Sequence, residues 1–177
     1  MSCTQTISGL GRDCSANMGG LKKVYIGPWD EGKTVTITTG AISAYSASAG
    51  AANYKAFNFR PGAASFTSTS NIDAVSGTFS VQTQLVMNFG RMDATKRTEI
   101  QALLQGQVQI IAVDNNGIAW LIGNESPAVA IGSQNAQTGA AKTEANQYSI
   151  SVQAEDAVLP LSFTDATVYS GVVDEVS

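Results

Sequence analysis

The stretch TFSVQTQLVMNF at residues 78–89 decides the fold. Its odd-numbered positions carry Phe, Val, Thr, Leu and Met, whereas positions 80 to 88 with even numbers carry Ser, Gln and Asn, except for Val86. Because successive side chains of a strand point to opposite faces, this alternation predicts a half-buried strand. The stretch would span about 40 Å at the usual rise of a strand, which is long for a small domain.

Similar alternation predicts strands on both sides of this one. Residues 107–113 and 118–123 flank the sequence DNNG, a strong turn signal, and therefore predict a hairpin. Residues 147–158 alternate apolar residues with Ser and Gln, and predict the last clean strand. Weaker strand patterns lie at residues 21–26, 34–38 and 54–59.

One segment has a helical period instead. Asp93 is a suitable N-cap, because its carboxylate can accept hydrogen bonds from the free amides of a first helical turn. Ile100, Leu103 and Leu104 then share one stripe, and Gly106 stands where a helix often ends in a left-handed residue. The pattern predicts one amphipathic helix at about residues 93–105, and no second convincing helix.

The predicted fold is mainly β: an antiparallel β-sandwich or barrel with one flanking helix. We expect a single domain over residues 1–177, with an N-terminal arm and a C-terminal extension. Three long stretches rich in small residues, at 40–52, 61–77 and 130–146, are expected to be interaction loops, since structureless loops of this length usually have a function or are disordered. The predicted core consists of Phe79, Val81, Leu85, Met87, Leu103, Leu104, Ile110, Trp120, Ile122, Ile150 and Val152.

Composition excludes several classes of function. The chain of 177 residues has 14% charged residues and a net charge of −4, against a usual charged fraction of about 25%. A nucleic-acid-binding protein needs an excess of basic residues, which this chain lacks. The sequence also has no histidine, which removes the commonest general base and metal ligand. We therefore expect no enzyme activity, no cofactor and no metal site.

The two cysteines, Cys3 and Cys14, lie close to the N-terminus. They could form a disulfide across a short loop or remain reduced and partly buried, and the sequence leaves both alternatives open. No apolar run approaches the roughly 20 residues of a membrane-spanning helix. The N-terminus also lacks a basic region followed by an apolar one, so we expect no signal peptide and no contact with a membrane.

Trp29 is the most suggestive single residue, because it lies between Gly27-Pro28 and the turn sequence at 30–32. An exposed tryptophan there would suit an intersubunit anchor, since Trp is enriched at interface hot spots. An ordinary half-buried turn residue is the alternative. The candidate intersubunit contacts in the turns and long loops are Trp29, Tyr45, Gly132, Asn135 and Thr138.

Three stretches, taken together, resemble a known family. The first runs from Cys3 and Cys14 into GGLKKVYI at residues 19–26. The second is the helix at 92–105, followed by the hairpin that ends in WLIG at 120–123. The third is the Gly-, Ala- and Thr-rich segment at 132–145, which leads into NQYSISV at 146–152. In this order, over about half of the chain, they resemble the tail tube proteins of tailed bacteriophages and prophages.

The resemblance implies a β-sandwich subunit that assembles with copies of itself into six-fold rings, stacked as a hollow tube. The partners it implies are other copies of the chain, other virion tail proteins and genomic DNA that passes without specific binding. The implied location is the virion tail, assembled in the cytoplasm of a bacterial host. The candidate acidic residues of the channel wall are Asp73, Glu144, Glu155 and Asp156. The alternative function is a β-sandwich binding or decoration module for a glycan or a host surface.

Overall fold

The computed structural model describes Gly9, residues 16–132 and residues 134–175. Cys3 and Cys14 lie outside the described residues, and so does the question of their pairing. The strands and helices follow in chain order: β1 (Leu21–Pro28), β2 (Thr34–Thr38), β3 (Ala41–Ser46), β4 (Tyr54–Phe57), β5 (Ala64–Asp73), β6 (Thr78–Gly90), α1 (Ala94–Gln105), β7 (Val108–Asp114), β8 (Ala119–Ile122), β9 (Val129–Ala130), β10 (Asn135–Gln137), β11 (Gln147–Asp156), β12 (Leu161–Phe163), α2 (Thr167–Ser170) and β13 (Val173–Asp174).

The strands form two sheets. The larger sheet has the order β13-β4-β1-β7-β8-β12-β3-β2, and the smaller has the order β10-β11-β6-β5, with β9 also paired to β11. Pairing is antiparallel except where β12 meets β3 and β13 meets β4. The prediction of a mainly β, two-sheet fold with one flanking helix is confirmed.

The first apolar core lies between the two sheets. Val24 of β1 and Ile110 of β7 meet Leu85 of β6 and Ile150 of β11, and all four are at most 1% exposed. Helix α1 adds Ile100 and Leu103 to this core. These contacts bury the apolar stripe of β6, which is why its alternating pattern folds as a strand.

A second core fills the opposite face of the larger sheet. It contains Ile111 of β7 and Leu121 of β8, together with aromatic residues of β3, β4 and α2. Tyr45 of β3 contacts Tyr54 of β4, although five steps of the sheet order separate these two strands. The larger sheet is therefore strongly curled, and its two ends meet around this core.

Helix α1 begins as predicted and ends differently. The Asp93 carboxylate accepts a hydrogen bond from the amide of Lys96 at 2.8 Å, as expected of an N-cap. Gly106, however, has an extended backbone with φ −94°, so the predicted left-handed cap is wrong. A Cβ at Gly106 would lie 3.1 Å from the carbonyl oxygen of Ala102. Close packing of the chain against the helix therefore explains the glycine.

All three predicted loops contain a strand, and the longer ones are β5 and β3. Residues 64–73 form β5, which could not be recognised in the sequence because Ser and Thr occupy half of its positions. Residues 41–46 form β3, where a register shift opposite Thr36 and Ile37 places Ile42 and Tyr45 on one face. Such a bulge breaks the period of two on which the prediction depended. The β2–β3 turn has positive φ at both Thr39 and Gly40, as a two-residue type I′ hairpin requires.

The C-terminal segment also joins the larger sheet through β12, α2 and β13. The one-turn helix α2 could not be predicted, because four residues are too few to show a helical period. Its Tyr169 packs against Phe163, with ring centroids 5.0 Å apart. This segment therefore completes the second core.

Most of the predicted core residues are buried, and three are not. Phe79 is 48% exposed, because this end of β6 extends beyond the region that the larger sheet covers. Trp120 is half-buried at the edge of the first core, where its ring packs on Phe66 at 6.2 Å between centroids. Leu104 is half-buried and packs against the margin of the first core.

Replacing Leu103 by Ala tests the packing of the helix. Leu103 is 5% exposed in the first core, so the truncation should lower the free energy of unfolding by about 2–5 kcal/mol. The same change at half-buried Leu104 should cost clearly less. Denaturant unfolding of both variants measures the difference. A loss below about 1 kcal/mol for Leu103→Ala, the size of a surface effect, would mean that α1 is not packed on the sheets.

Candidate functional site

The five-stranded sheet turns one face away from the first core, and we call this its outer face. The strand register assigns its residues, since cross-strand partners lie on the same side. Gln84 of β6, for example, lies between Thr67 of β5 and Gln153 of β11. The outer face comprises Ser65, Thr67, Thr69, Asn71, Asp73, Thr78, Ser80, Gln82, Gln84, Val86, Asn88, Gln147, Ser149, Ser151, Gln153 and Glu155.

This outer face is polar and has no basic residue. Hydroxyl and amide side chains make up nearly all of it, and Asp73 and Glu155 supply its two charges. Two of the four predicted channel carboxylates therefore lie on one continuous surface. A surface of neutral hydrogen-bonding groups with two carboxylates stays hydrated and does not attract phosphate groups.

The other two predicted channel carboxylates lie elsewhere. Glu144 is exposed in the loop before β11, where its carboxylate accepts hydrogen bonds from the amides of Ala140 and Ala141. These amides hold the pKa of Glu144 below its ordinary value. Asp73 is held similarly on the outer face: the Ser76 hydroxyl, followed by the amide of Val75, lowers its pKa. Both groups are therefore ionised at neutral pH.

Asp156 is not a channel residue within this fold. It is 8% exposed and lies on the core-facing side of β11. Its carboxylate accepts hydrogen bonds from the amides of Glu125 at 2.8 Å, Ser126 at 3.2 Å and Asn124 at 3.3 Å. The role of Asp156 is to fix the loop after β8, because these amides have no strand partner.

The smaller sheet has two edges that no other strand of the described residues pairs with, and we call these its open edges. Strand β5 runs for ten residues along one edge without a Lys or Pro, the residues that usually prevent edge pairing. Strand β10 forms part of the other edge and carries Asn135. The predicted contacts Gly132, Asn135 and Thr138 are all exposed there. They lie where a neighbouring subunit would have to extend the sheet.

Tyr45 is not available as an intersubunit contact. It is 8% exposed in the second core, and its hydroxyl lies 2.5 Å from that of Tyr54. The Tyr54 hydroxyl donates to Oε1 of the fully buried Gln109 at 2.6 Å, and Nε2 of Gln109 donates to the carbonyl of Gly123 at 2.9 Å. Burial raises the pKa of both tyrosines. The network satisfies the polar groups that a curled sheet brings inside.

Trp29 is half-buried at the end of β1 and remains a candidate contact. Its indole Nε1 is buried without a hydrogen-bond partner among the described residues. The ammonium of Lys33 lies 5.2 Å from the ring centroid, a cation–π distance. Asp30 next to it accepts hydrogen bonds from the amide and hydroxyl of Ser48, both at 2.7 Å, and this clamp fixes the turn that carries Trp29.

The sequence prediction missed an apolar surface at the β5–β6 turn. Ile72, Val75 and Phe79 are 73%, 97% and 48% exposed. Ile72 and Val75 were assigned to a loop, and Phe79 to the core. The signal in the sequence is limited to two apolar residues, Ile72 and Val75, within a turn sequence that contains Asp73 and Gly77. The missing information was where the opposing sheet ends.

Membrane-spanning helices and clusters of metal ligands are both absent from the part of the chain that the structure describes. No helix there is long and apolar enough to cross a membrane. Residues 16–132 and 134–175 bring no three Cys, Asp or Glu side chains together as ligands for a metal ion.

Replacing Asp156 by Ala tests its role in the fold. The variant leaves three partly buried amides without their acceptor and should lose about 1–3 kcal/mol of stability. Glu155→Ala is the matched control, because the adjacent carboxylate is exposed on the outer face and should change stability by no more than about 0.5 kcal/mol. Thermal or denaturant unfolding distinguishes the two. Equal effects would contradict the assignment of Asp156 to the interior.

Comparison with known proteins adds no family to this geometry. No protein-family model, curated protein or solved structure matches the chain. The resemblance to tail tube proteins therefore stays a prediction from the sequence. The outer face and the open edges of the smaller sheet are the surfaces on which a function can be argued.

Proposed function

We propose that this chain is a structural subunit of a bacteriophage tail tube, which assembles into stacked rings around a channel for DNA. The observation that carries the proposal is the outer face of the smaller sheet. Its three long strands present hydroxyls, amides and two carboxylates, and none of its residues is basic. In the proposed ring this face lines the channel.

The charge of such a wall suits the passage of DNA. Each copy contributes Asp73 and Glu155 to the outer face, so a ring multiplies these charges around one axis. Like charge keeps a phosphate backbone from settling on the wall, within a Debye length of about 8 Å at physiological salt. The neutral amides and hydroxyls between the carboxylates keep the wall hydrated. DNA would therefore pass without binding.

The open edges supply a way to close the ring. An unpaired edge strand presents a row of amide and carbonyl groups that pair readily with another chain. If β5 of one copy extends the sheet beside β10 of the next, the smaller sheets join into one barrel without edges. The exposed Gly132, Asn135 and Thr138 would then lie at the joint. The six-fold stoichiometry comes from the resemblance alone.

The proposed setting follows the same role. The partners are other copies of the chain and the other proteins of the tail, and the DNA is cargo. The subunit would be made in the bacterial cytoplasm and would act in the virion. A binding or decoration module is the competing function, and it would form a small, defined species instead of a tube.

Electron microscopy of the purified protein at high concentration tests the proposal. We expect rings or stacked tubes, with assembly increasing with protein concentration. A test variant lacks residues 139–144, which lie within the loop that joins β10 to β11. The shortened loop should leave folding nearly unchanged, because loop length affects the entropy of folding only weakly, and should prevent assembly by altering the edge.

Two results would count against the proposal. A wild-type protein that remains a small species of fixed size at high concentration would favour a binding module. Normal tubes from the shortened variant would remove this edge from the interface.

A further inference from the structure

The β5–β6 hairpin carries an apolar tip that none of the described residues covers. Ile72 and Phe79 are cross-strand partners on the core-facing side of the sheet. The neighbouring strand β11 stops at Asp156, opposite Val81, and so leaves this pair beyond its end. Val75 occupies the turn itself and is 97% exposed. We call Ile72, Val75 and Phe79 the hairpin tip.

The turn displays Val75 in a fixed position. Asp73 accepts a hydrogen bond from the amide of Val75 at 2.9 Å and another from the hydroxyl of Ser76 at 2.7 Å. The amide of Gly77 donates to the carbonyl of Asp73 at 2.8 Å. Three exposed apolar side chains on an ordered turn are more than scattered surface residues, and such patches usually mark an interface.

An apolar groove lies at the opposite end of the same strand. It runs between β4 and α1, has a volume of about 480 Å³, and has Phe57, Phe89 and Ile100 as its apolar floor. The ring centroids of Phe57 and Phe89 are 5.8 Å apart. The exposed Asn58 and Thr95 lie at its rim. The groove is large enough for a branched aliphatic side chain and part of the turn that carries it.

The groove end of the molecule also has basic residues. Lys55 and Lys96 line the groove, and their ammonium groups pair with Asp174 and Asp93. Arg60 and Arg91 lie next to it and have no carboxylate partner among the described residues. The charges at the groove are thus the two lysines with their partners Asp174 and Asp93, Glu99, which lines it, and the two adjacent arginines, with Glu144 beside them.

Arg91 is held in an unusual backbone conformation. Its φ is +60°, a left-handed value that few residues other than glycine adopt. Asn146 keeps it there, because its carbonyl accepts the amide of Arg91 at 2.8 Å and its side chain accepts the amide of Met92 at 3.1 Å. These hydrogen bonds compensate the backbone strain. The fixed backbone conformation also fixes the direction in which the Arg91 side chain starts.

The tip end has the opposite charge. Asp73 and Glu155 lie beside the tip, and Glu125 lies in the loop that Asp156 holds. Burial lowers the pKa of Lys33, although the nearby carboxylates of Asp30 and Asp156 act to raise it, so this end carries a basic residue as well. β6 joins the two ends, and its thirteen residues separate them by about 40 Å. The tip end therefore carries mostly carboxylates, whereas the groove end carries two arginines without a salt-bridge partner among the described residues.

We propose that the hairpin tip of one copy inserts into the α1–β4 groove of the next copy. Val75 would enter the apolar floor, and Ile72 and Phe79 would cover its rim. Asp73, which lies at the turn, would come near Arg60 and Arg91 of the next copy, whereas Glu155, farther along the outer face, would stay on the channel wall. A contact between two different surfaces of the same chain is heterologous, and it repeats along the direction of β6 instead of closing as a two-fold dimer.

This inference rests on the proposed tube function. It identifies the hairpin tip and the groove as the contact between successive rings. The open edges of the smaller sheet join subunits sideways, whereas the tip and groove lie at the two ends of the strands. The two sets of surfaces do not compete, so a subunit can use both at once.

Cross-linking tests the contact directly. In a chain with Cys3 and Cys14 replaced by Ser, Val75→Cys and Asn58→Cys place one thiol on the tip and one at the groove. Because about 40 Å separate these positions within one copy, a short bismaleimide can join them only between copies. We expect a ladder of covalent oligomers from the double variant. Val75→Cys combined with Ser170→Cys, an exposed position on α2, is the matched control and should give no ladder.

A second variant measures the energy of the same contact. Val75→Asn should fold normally, because its side chain is 97% exposed. It should raise the protein concentration needed for assembly at least about ten-fold, since burying an uncharged amide on an apolar floor costs more than the roughly 1.4 kcal/mol that a factor of ten represents.

The outcomes separate this inference from the tube itself. Tubes that assemble from the double-cysteine chain without a ladder would overturn the tip-to-groove contact and leave the tube function intact. Cross-linked dimers from Val75→Cys alone would indicate a tip-to-tip contact and would also overturn it. If the protein formed neither assemblies nor cross-links at any concentration, that result would count against both proposals.

Discussion

The structure depends on strand β7, which is buried on both faces. Val108, Ile110 and Ala112 point into the core between the sheets, and Ile111 points into the core of the curled sheet. An apolar run such as VQIIAV is required here, because no position from 108 to 112 reaches solvent. The two cores therefore share one strand, and the curl of the larger sheet is coupled to the packing of the smaller one.

Gln109 is the polar exception on this strand and shows how strict the constraint is. It is fully buried, and its amide bonds Tyr54 and the carbonyl of Gly123. A buried amide without these partners would cost about 1–3 kcal/mol. Because Tyr54 belongs to β4 and Gly123 follows β8, the side chain links three parts of the larger sheet. The network thereby favours one particular curl over other packings of similar apolar content.

With both cores facing β7, one face of the smaller sheet is left to solvent. The residues of β6 and β11 that face away from the core are mostly Ser, Gln and Asn, and Glu155 is the one charged residue among them. A monomeric protein could carry charges at these positions without loss of stability. Their neutrality, beside edges that lack the usual protection against pairing, is the feature that the tube proposal explains.

The predictability of each element follows from its burial. The long strand β6, the β7–β8 hairpin and α1 could be predicted, because one face or stripe of each is buried and imposes its period on the sequence. Strand β5 could not, since its outer edge and outer face impose no apolar pattern, and β3 could not, since its bulge shifts the period between Ile42 and Tyr45. For the same reason the sequence indicated acidic residues of interest but could not separate Glu155, on the outer face, from buried Asp156.

The measurement that tests the central claim most directly is the reactivity of a thiol on the outer face in assembled protein. In a chain without Cys3 and Cys14, Gln84→Cys should react with a small maleimide and be protected from a bulky polyethylene glycol maleimide once tubes form, while Ser170→Cys should react with both. Equal reaction of the two positions with the bulky reagent in assembled tubes would contradict the assignment of the outer face to the channel.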